Sequence, residues 1–276
     1  MYQVYNPLEL FNKLNSLNEE NDDVKKFFDK FSFNDILQQH IAKENSQYVF
    51  KKESNENPTK SKIIRELNKL NAQNLQKVIS SIREIFFQTQ DEINELVSQC
   101  IQKIKKDNEQ TRPLVAALCN ELMLTYFETL DKKKIYFIKL LLSEVKKEYL
   151  QSIKYDSDTW TKDKGERGMI LIGTLFNSKI IEDKIMISII NDFKKNIKYK
   201  EDGNQETYEN VEKSLQQLSC LLSCIILNED SKKIYNDLEL DTFLEEQMII
   251  YEEKKCISKK IRLVCKTTIQ ELKKIY

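Results

Sequence analysis

Glycine and proline are nearly absent from this chain, whose 276 residues include only four glycines and three prolines. Tight turns, β-hairpins and glycine-rich phosphate-binding loops all draw on these two residue types. Their scarcity predicts long helices joined by polar connections. No P-loop or dinucleotide-binding fingerprint appears in the sequence.

The sequence also lacks the residues that catalytic and metal-binding sites usually contain. His40 is the only histidine, and it lies in a polar region. A zinc site made of histidine and cysteine needs more histidines or cysteine pairs at tight spacing. Cys220 and Cys224 lie on one helical face, but there is no second pair. No nucleophile elbow is present either, so we expect no enzyme activity, no cofactor and no metal site.

The charge balance and the hydropathy of the chain restrict the classes of ligand and the compartments that suit it. Lysine plus arginine and aspartate plus glutamate each number 44, so the formal net charge is zero. This balance argues against a generally basic nucleic-acid-binding protein, while a local basic patch stays compatible with it. No apolar run reaches the roughly 18 residues of a membrane span, and no basic-then-apolar signal pattern begins the sequence. The six cysteines are typical of reduced core thiols in a cytosolic or nuclear protein.

Residues 1–57 differ in character from the rest of the chain. They hold two short apolar clusters, at 5–17 and 24–37, separated by the acidic stretch NEENDD, and they end in the polar KKESNENPTK. This composition predicts a largely disordered arm whose transient helices become ordered on partners. The alternative is a first helical layer that packs on the following domain through Phe27, Phe28, Phe31 and Phe33.

Residues 58–276 are predicted to form an all-α domain. Apolar residues recur there every three or four positions, as in the run Ile63, Ile64, Leu67 and Leu70, and no run shows strict period-two alternation. Ten or so helices without a persistent heptad favour helix pairs stacked as an α-solenoid, and a compact bundle is the alternative. Any repeats are degenerate ones of the HEAT type, each about 40 residues long.

One polar insertion, from Gln151 to Arg167, contains Trp160, the only tryptophan. An exposed tryptophan is typical of a protein interface. We favour the other interpretation, in which Trp160 anchors the loop on the core.

Three segments together resemble the middle domain of the eukaryotic translation initiation factor 4G family. The first, Ile63–Val78, contains the leucine-asparagine-lysine-leucine stretch that opens that domain. The second, Lys164–Ile181, has basic residues followed by Ile172, Gly173, Leu175 and Phe176. The third, Ile257–Ile275, contains the basic-isoleucine-basic triplet Lys260, Ile261 and Arg262. The segments occur in the family's order over about 215 residues, although Arg167 and Gly168 are shifted and Lys259 and Leu263 replace a serine and a phenylalanine.

The resemblance implies a crescent of about five HEAT-like helix pairs that docks to the DEAD-box helicase, initiation factor 4A. Carried over residue by residue, it places Leu67, Leu70 and Leu75 at or under the helicase-binding surface, and plain helix-pair core is the alternative for these leucines. Asn68 and Lys69 in the same segment are expected to be exposed. The last helix, through Lys259, Lys260 and Arg262, is expected to contact the other helicase lobe or RNA.

The stretch YNPLELF in the arm is similar to the motif Tyr-x-x-x-x-Leu-Φ, where Φ is apolar, by which the family binds the cap-binding protein, factor 4E. Asn6 is a good N-cap, Pro7 fits the first helical position and Glu9 completes a capping box. The motif residues and the apolar stripe that continues from them are Tyr5, Leu10, Phe11, Leu14 and Leu17. A second match, Tyr136 with Leu141 and Leu142, lies in a predicted domain helix, where core packing explains it.

These features predict a cytoplasmic, non-enzymatic scaffold of translation initiation. It bridges the cap-binding protein and the helicase, binds mRNA weakly, and recruits mRNA to the ribosome through initiation factor 3 and the small ribosomal subunit. One alternative is a regulator that competes with full-length factor 4G. Another is a middle-domain protein of nuclear cap binding, splicing or RNA surveillance, in which the Tyr5 match is accidental.

Overall fold

The computed structural model describes residues 58–155, 158–201, 203–225 and 228–275. Within these ranges the chain is mostly helical, as predicted, and one short hairpin interrupts the helices. The helices are α1 (Pro58–Lys69), α2 (Leu75–Arg83), α3 (Gln90–Lys106), α4 (Thr111–Leu122), α5 (Phe137–Ser152), α6 (Lys162–Asn177), α7 (Asp183–Ile197), α8 (Gln205–Ile225), α9 (Glu229–Leu238), α10 (Leu240–Lys254) and α11 (Lys259–Ile275). The hairpin strands are β1 (Tyr126–Glu128) and β2 (Lys134–Tyr136).

Helix α3 illustrates how the sequence produces these elements. Asp91 and Glu92 lie in its first turn and its three lysines in the last, which suits the helix dipole. The apolar positions recur every three or four residues and form one face. That face is buried, with at most 2% of any side chain exposed, at Ile93, Leu96, Val97, Cys100, Ile101 and Ile104.

Five helices form a row in which each member packs on the next: α1 on α3, α3 on α6, α6 on α8, and α8 on α11. Five more helices flank this row: α2 packs on α1 and α4, α4 on α3 and α6, α5 on α3 and α6, α7 on α8, and α10 on α11. Helix α9 packs on α7 and α10. One continuous hydrophobic core runs between the elements. None of the described helices combines the length and the apolar character that a bilayer-spanning helix requires.

Helix α6 lies at the centre of the row and contains three of the four glycines, Gly165, Gly168 and Gly173. A Cβ atom placed at Gly168 would lie 2.5 Å from Cβ of Ser152 in α5. One placed at Gly173 would lie 2.7 Å from Cβ of Cys224 in α8. The glycines therefore let two neighbouring helices approach α6 more closely than any side chain would permit.

The hairpin was not predicted, and the expectation that Tyr136 lies within a helix is wrong. β1 and β2 pair antiparallel, with Tyr126 opposite Tyr136, and α5 begins one residue later. The turn contains no glycine, and Lys132 adopts the left-handed conformation there, at φ 61°. The turn is closed by a hydrogen bond from the Thr129 N–H to the carbonyl of Lys133 at 3.0 Å. Phe127 fixes the hairpin to the core through a T-shaped contact with Phe87 at 4.7 Å.

Gly168→Ala tests the close approach of α5 and α6. Alanine normally stabilises a helix interior by about 1 kcal/mol relative to glycine. Here the added methyl group meets Cβ of Ser152, which cannot rotate away, so we expect the free energy of unfolding to fall by about 1–3 kcal/mol. Urea unfolding followed by circular dichroism measures this change, and Ser152→Gly in the same chain should recover part of the loss. An increase in stability would show that the two helices separate easily.

Candidate partner-binding surfaces

The segment expected to contact the helicase spans the end of α1 and the start of α2. Leu67 and Leu70 belong to the core, with 1% and 8% of their surface exposed, and Leu75 is half-buried against it. Asn68 and Lys69 are exposed, as expected. The apolar residues thus lie beneath a polar surface that includes Asn68 and Lys69.

Two asparagines fix the turn that joins α1 to α2. The Asn74 side chain donates through Nδ2 to the carbonyl of Lys69 at 2.6 Å, and its Oδ1 accepts from the Asn71 N–H at 2.8 Å. Asn71 Oδ1 in turn accepts the N–H groups of Gln73 and Asn74 at 2.9 and 3.0 Å. These bonds satisfy carbonyl and amide groups that the helix ends leave without helical partners. The turn therefore holds Asn68 and Lys69 in a defined position.

The basic residues of α11 divide into two kinds. Lys259 and Lys260 are exposed in the first turn. Arg262 is partly buried, with 19% of its side chain exposed, and its Nη1 lies 3.4 Å from Oε1 of Glu252 in α10. Lys266 pairs with the same carboxylate at 3.2 Å. Of the three predicted contact residues, Arg262 therefore joins α10 to α11, and the two lysines form the accessible positive charge.

Two exposed apolar side chains lie on the same two helices as these charges. Leu263 of α11 is 67% exposed, and Ile249 of the adjacent α10 is 59% exposed. Glu252 and Lys266 form their ion pair on the same two helices. Accessible lysines and exposed apolar residues thus lie on the same pair of helices.

The hairpin carries a further surface that sequence reasoning missed. Leu130 in its turn is 69% exposed, and Leu124 just before β1 is 47% exposed. The rings of Tyr126 and Tyr136 are 6.0 Å apart, and Lys134 Nζ lies 4.8 Å from the centre of the Tyr126 ring. In the sequence, the alternation in TYFET followed by the polar run DKKK is the only indication of a hairpin. Strands of three residues are too short for such a pattern to predict them.

Trp160 anchors its loop on the core, which confirms the interpretation that we favoured. Its Nε1 donates to the carbonyl of Ser152 at 2.6 Å, and its ring meets Tyr155 edge-on at 5.5 Å. The Gln217 side chain of α8 also donates to the Ser152 carbonyl, at 2.8 Å, and accepts from the Tyr155 hydroxyl at 2.5 Å. Burial raises the pKa of Tyr155 to about 12, although the Ser214 hydrogen bond opposes this. The hydroxyl therefore stays protonated at neutral pH and remains a donor.

The predicted cap-binding-protein motif, with Tyr5, Leu10, Phe11 and Leu14, lies outside the described residues, as does the rest of the arm. The second match falls within them. Its two leucines, Leu141 and Leu142, are buried at 0% and 6% exposure, and Tyr136 ends strand β2 and is half-buried. The match at Tyr136 is thus explained by core packing, although the residue precedes the helix.

Among the described residues no cluster of three or more histidine, cysteine, aspartate or glutamate side chains is arranged to hold a metal ion. No protein-family model matches the chain, and no curated protein matches it either. The likeness to the factor 4G middle domain therefore rests on the three segments named above.

Asn74→Ala tests whether the α1–α2 turn is held by side chains. The substitution removes the bonds to the Lys69 carbonyl and the Asn71 N–H, so we expect the free energy of unfolding to fall by about 1 kcal/mol. Chemical denaturation measures the change. Asn68→Ala is the matched control, because Asn68 is an exposed asparagine of the same segment and should alter stability by less than about 0.5 kcal/mol. Equal losses in the two variants would contradict the assignment.

Proposed function

We propose that this chain is a scaffold of translation initiation that bridges the cap-binding protein and a DEAD-box helicase of the factor 4A type. One observation carries the proposal. The three segments that resemble factor 4G correspond to the first, middle and last members of the helix row: α1 with α2, α6, and α11. Three segments that are far apart in sequence thus lie at the two ends and at the centre of the helix row.

The row itself supports an α-solenoid of HEAT-like helix pairs. In a solenoid each repeat packs mainly on its neighbours, so contacts follow chain order and one face stays extended. The sequence α1, α3, α6, α8, α11 has this order, and flanking helices pack on each row member. A scaffold of this kind buries its inner seam and offers its two end members to separate parts of a partner.

The end members carry side chains suited to that role. Asn68 and Lys69 are exposed on α1, and Lys259 and Lys260 are exposed on α11. A helicase of two lobes is contacted at both ends, with α1 on one lobe and α11 on the other or on its RNA. Such contacts favour the closed helicase only to the extent that they bind that arrangement more tightly than the open one.

The arm supplies the second partner in this proposal. In this proposal a helix capped by Asn6 forms on the partner and presents Leu10, Phe11 and Leu14 on one stripe, with Tyr5 in the extended entry. This is the helix-in-groove mode of peptide recognition. Because an isolated helix of this length is marginal in water, binding and folding occur together. The mRNA cap and the helicase are thereby joined through one cytoplasmic chain.

The double substitution Tyr5→Ala with Leu10→Ala tests the first partner. We expect pull-down of the cap-binding protein by the full chain to be lost, because both motif side chains that enter its groove are removed. Tyr2→Ala with Leu8→Ala is the matched control, since it removes the same residue types from the same arm. Binding that survives in the first variant, or that is lost equally in both, would refute the motif.

The double substitution Asn68→Ala with Lys69→Ala tests the second partner. We expect the full chain to raise the ATPase rate of factor 4A, and this variant to lose much of the stimulation without a change in unfolding midpoint. The control is Lys195→Ala with Asn196→Ala on α7, an exposed pair whose lysine bonds an acidic residue at i−3, as Lys69 does. No stimulation by the unmodified chain would favour the splicing and surveillance alternatives, and a matching loss in the control would contradict the assigned surface.

A further inference from the structure

Cys220 and Cys224 lie one helical turn apart in α8, and both are half-buried. Each thiol is close enough to shift the pKa of the other. Sγ of Cys220 also lies 3.7 Å from the carbonyl oxygen of Glu166 in α6. The pair therefore lies where α8 packs on α6, with both thiols on one face of α8.

The surroundings of the pair distinguish one thiol from the other. The neighbouring Cys220 thiol lowers the pKa of Cys224, burial raises it, and the guanidinium of Arg112 in α4 lowers it again, against a smaller opposing effect of Glu109. Nε of Arg112 is buried and has no hydrogen-bond acceptor within the described part of the chain. The Cys224 thiol and burial together raise the pKa of Cys220 far above its ordinary value. Cys224 is thus the better thiolate, and Cys220 keeps its proton.

We propose that Cys220 and Cys224 form a hydroperoxide-sensitive thiol pair, in which Cys224 attacks the oxidant and Cys220 resolves the product. The Cys224 thiolate attacks one peroxide oxygen, the O–O bond breaks, and hydroxide or an alkoxide leaves. Cys224 is thereby oxidised to a sulfenic acid, and the peroxide is reduced. The Cys220 sulfur then attacks the Cys224 sulfur, the disulfide forms, and the Cys220 proton leaves with the sulfenic hydroxyl as water.

The position of Cys224 makes closure of the disulfide feasible. Cβ atoms four residues apart on a helix are about 5–6 Å apart, whereas those of a disulfide are about 3.5–4.5 Å apart. The backbone must therefore move by roughly 1–2 Å. Cys224 precedes Ile225, the last residue of α8, and helix ends open at the lowest cost.

Oxidation at this point acts directly on the α6–α8 contact. The carbonyl of Cys224 accepts a hydrogen bond from Asn177 Nδ2 at 2.9 Å, and its side chain lies against Gly173 of α6. Drawing Cys224 toward Cys220 changes both contacts. The disulfide form is therefore less stable at the centre of the helix row than the dithiol form.

The test treats the folded full chain with hydrogen peroxide in the presence and absence of a sulfenic-acid-trapping dione, followed by tryptic mass spectrometry. Both cysteines fall in one tryptic peptide, 214–232, so the disulfide appears there as a loss of two hydrogen atoms. Cys256 is the matched thiol, because it is half-buried as well. Cys220→Ser and Cys224→Ser separate the attacking sulfur from the resolving one.

We expect the disulfide in the unmodified chain, a trapped sulfenic acid at Cys224 in Cys220→Ser, and neither product at this site in Cys224→Ser. Circular dichroism confirms that each variant is folded before oxidation. The thermal unfolding midpoint of the oxidised chain should be lower than that of the reduced chain. The proposal is overturned if Cys256 is modified as fast as Cys224, or if Cys220→Ser yields no adduct at Cys224.

Discussion

The close approach of α5 and α8 to α6 is the constraint on which the rest of the structure depends. Glycine in a helix interior costs about 1 kcal/mol relative to alanine, yet three of the chain's four glycines are in this one helix. Each faces a side chain of a neighbouring helix, including Ser152 and Cys224. Because α6 also packs on α3 and α4, the glycines determine how the two halves of the row join.

Close packing at the centre determines what the surface can offer. Most apolar residues of α1 and α11 belong to the core, as Leu67 and Ile261 do, and Leu263 is the exposed exception. The accessible surface at the two ends of the row is therefore mainly polar. At α11 this choice carries a local cost, because Lys259 and Lys260 lie in a first turn that has no acidic residue, where the helix dipole disfavours positive charge. Such a departure from helix rules is expected at a functional site.

Sequence periodicity was sufficient for the long helices and insufficient for two features. A helix such as α3 has five turns over which the apolar stripe repeats, so its face and burial follow from spacing alone. The strands ending at Glu128 and Tyr136 have three residues each, and their turn uses Lys132 at positive φ where a glycine would have marked it. The candidate partner-binding residues also include some whose exposure follows from the sequence and some whose exposure does not. Exposure of Asn68 was predictable from its polarity, whereas the partial burial of Arg262 depends on Glu252, a residue of another helix that no local pattern identifies.

The division between buried leucines and exposed polar residues also decides which substitutions are informative about binding. Leu67 and Leu70 contact the core from within the segment that resembles the helicase-binding stretch. Truncating a buried leucine costs about 2–5 kcal/mol, a large part of the 5–15 kcal/mol that stabilises a typical domain. Loss of a partner by a leucine variant therefore does not distinguish unfolding from a lost contact. Asn68 and Lys69 lie in the same segment but are exposed rather than part of the core. Loss of binding in their variants therefore reports on the surface itself.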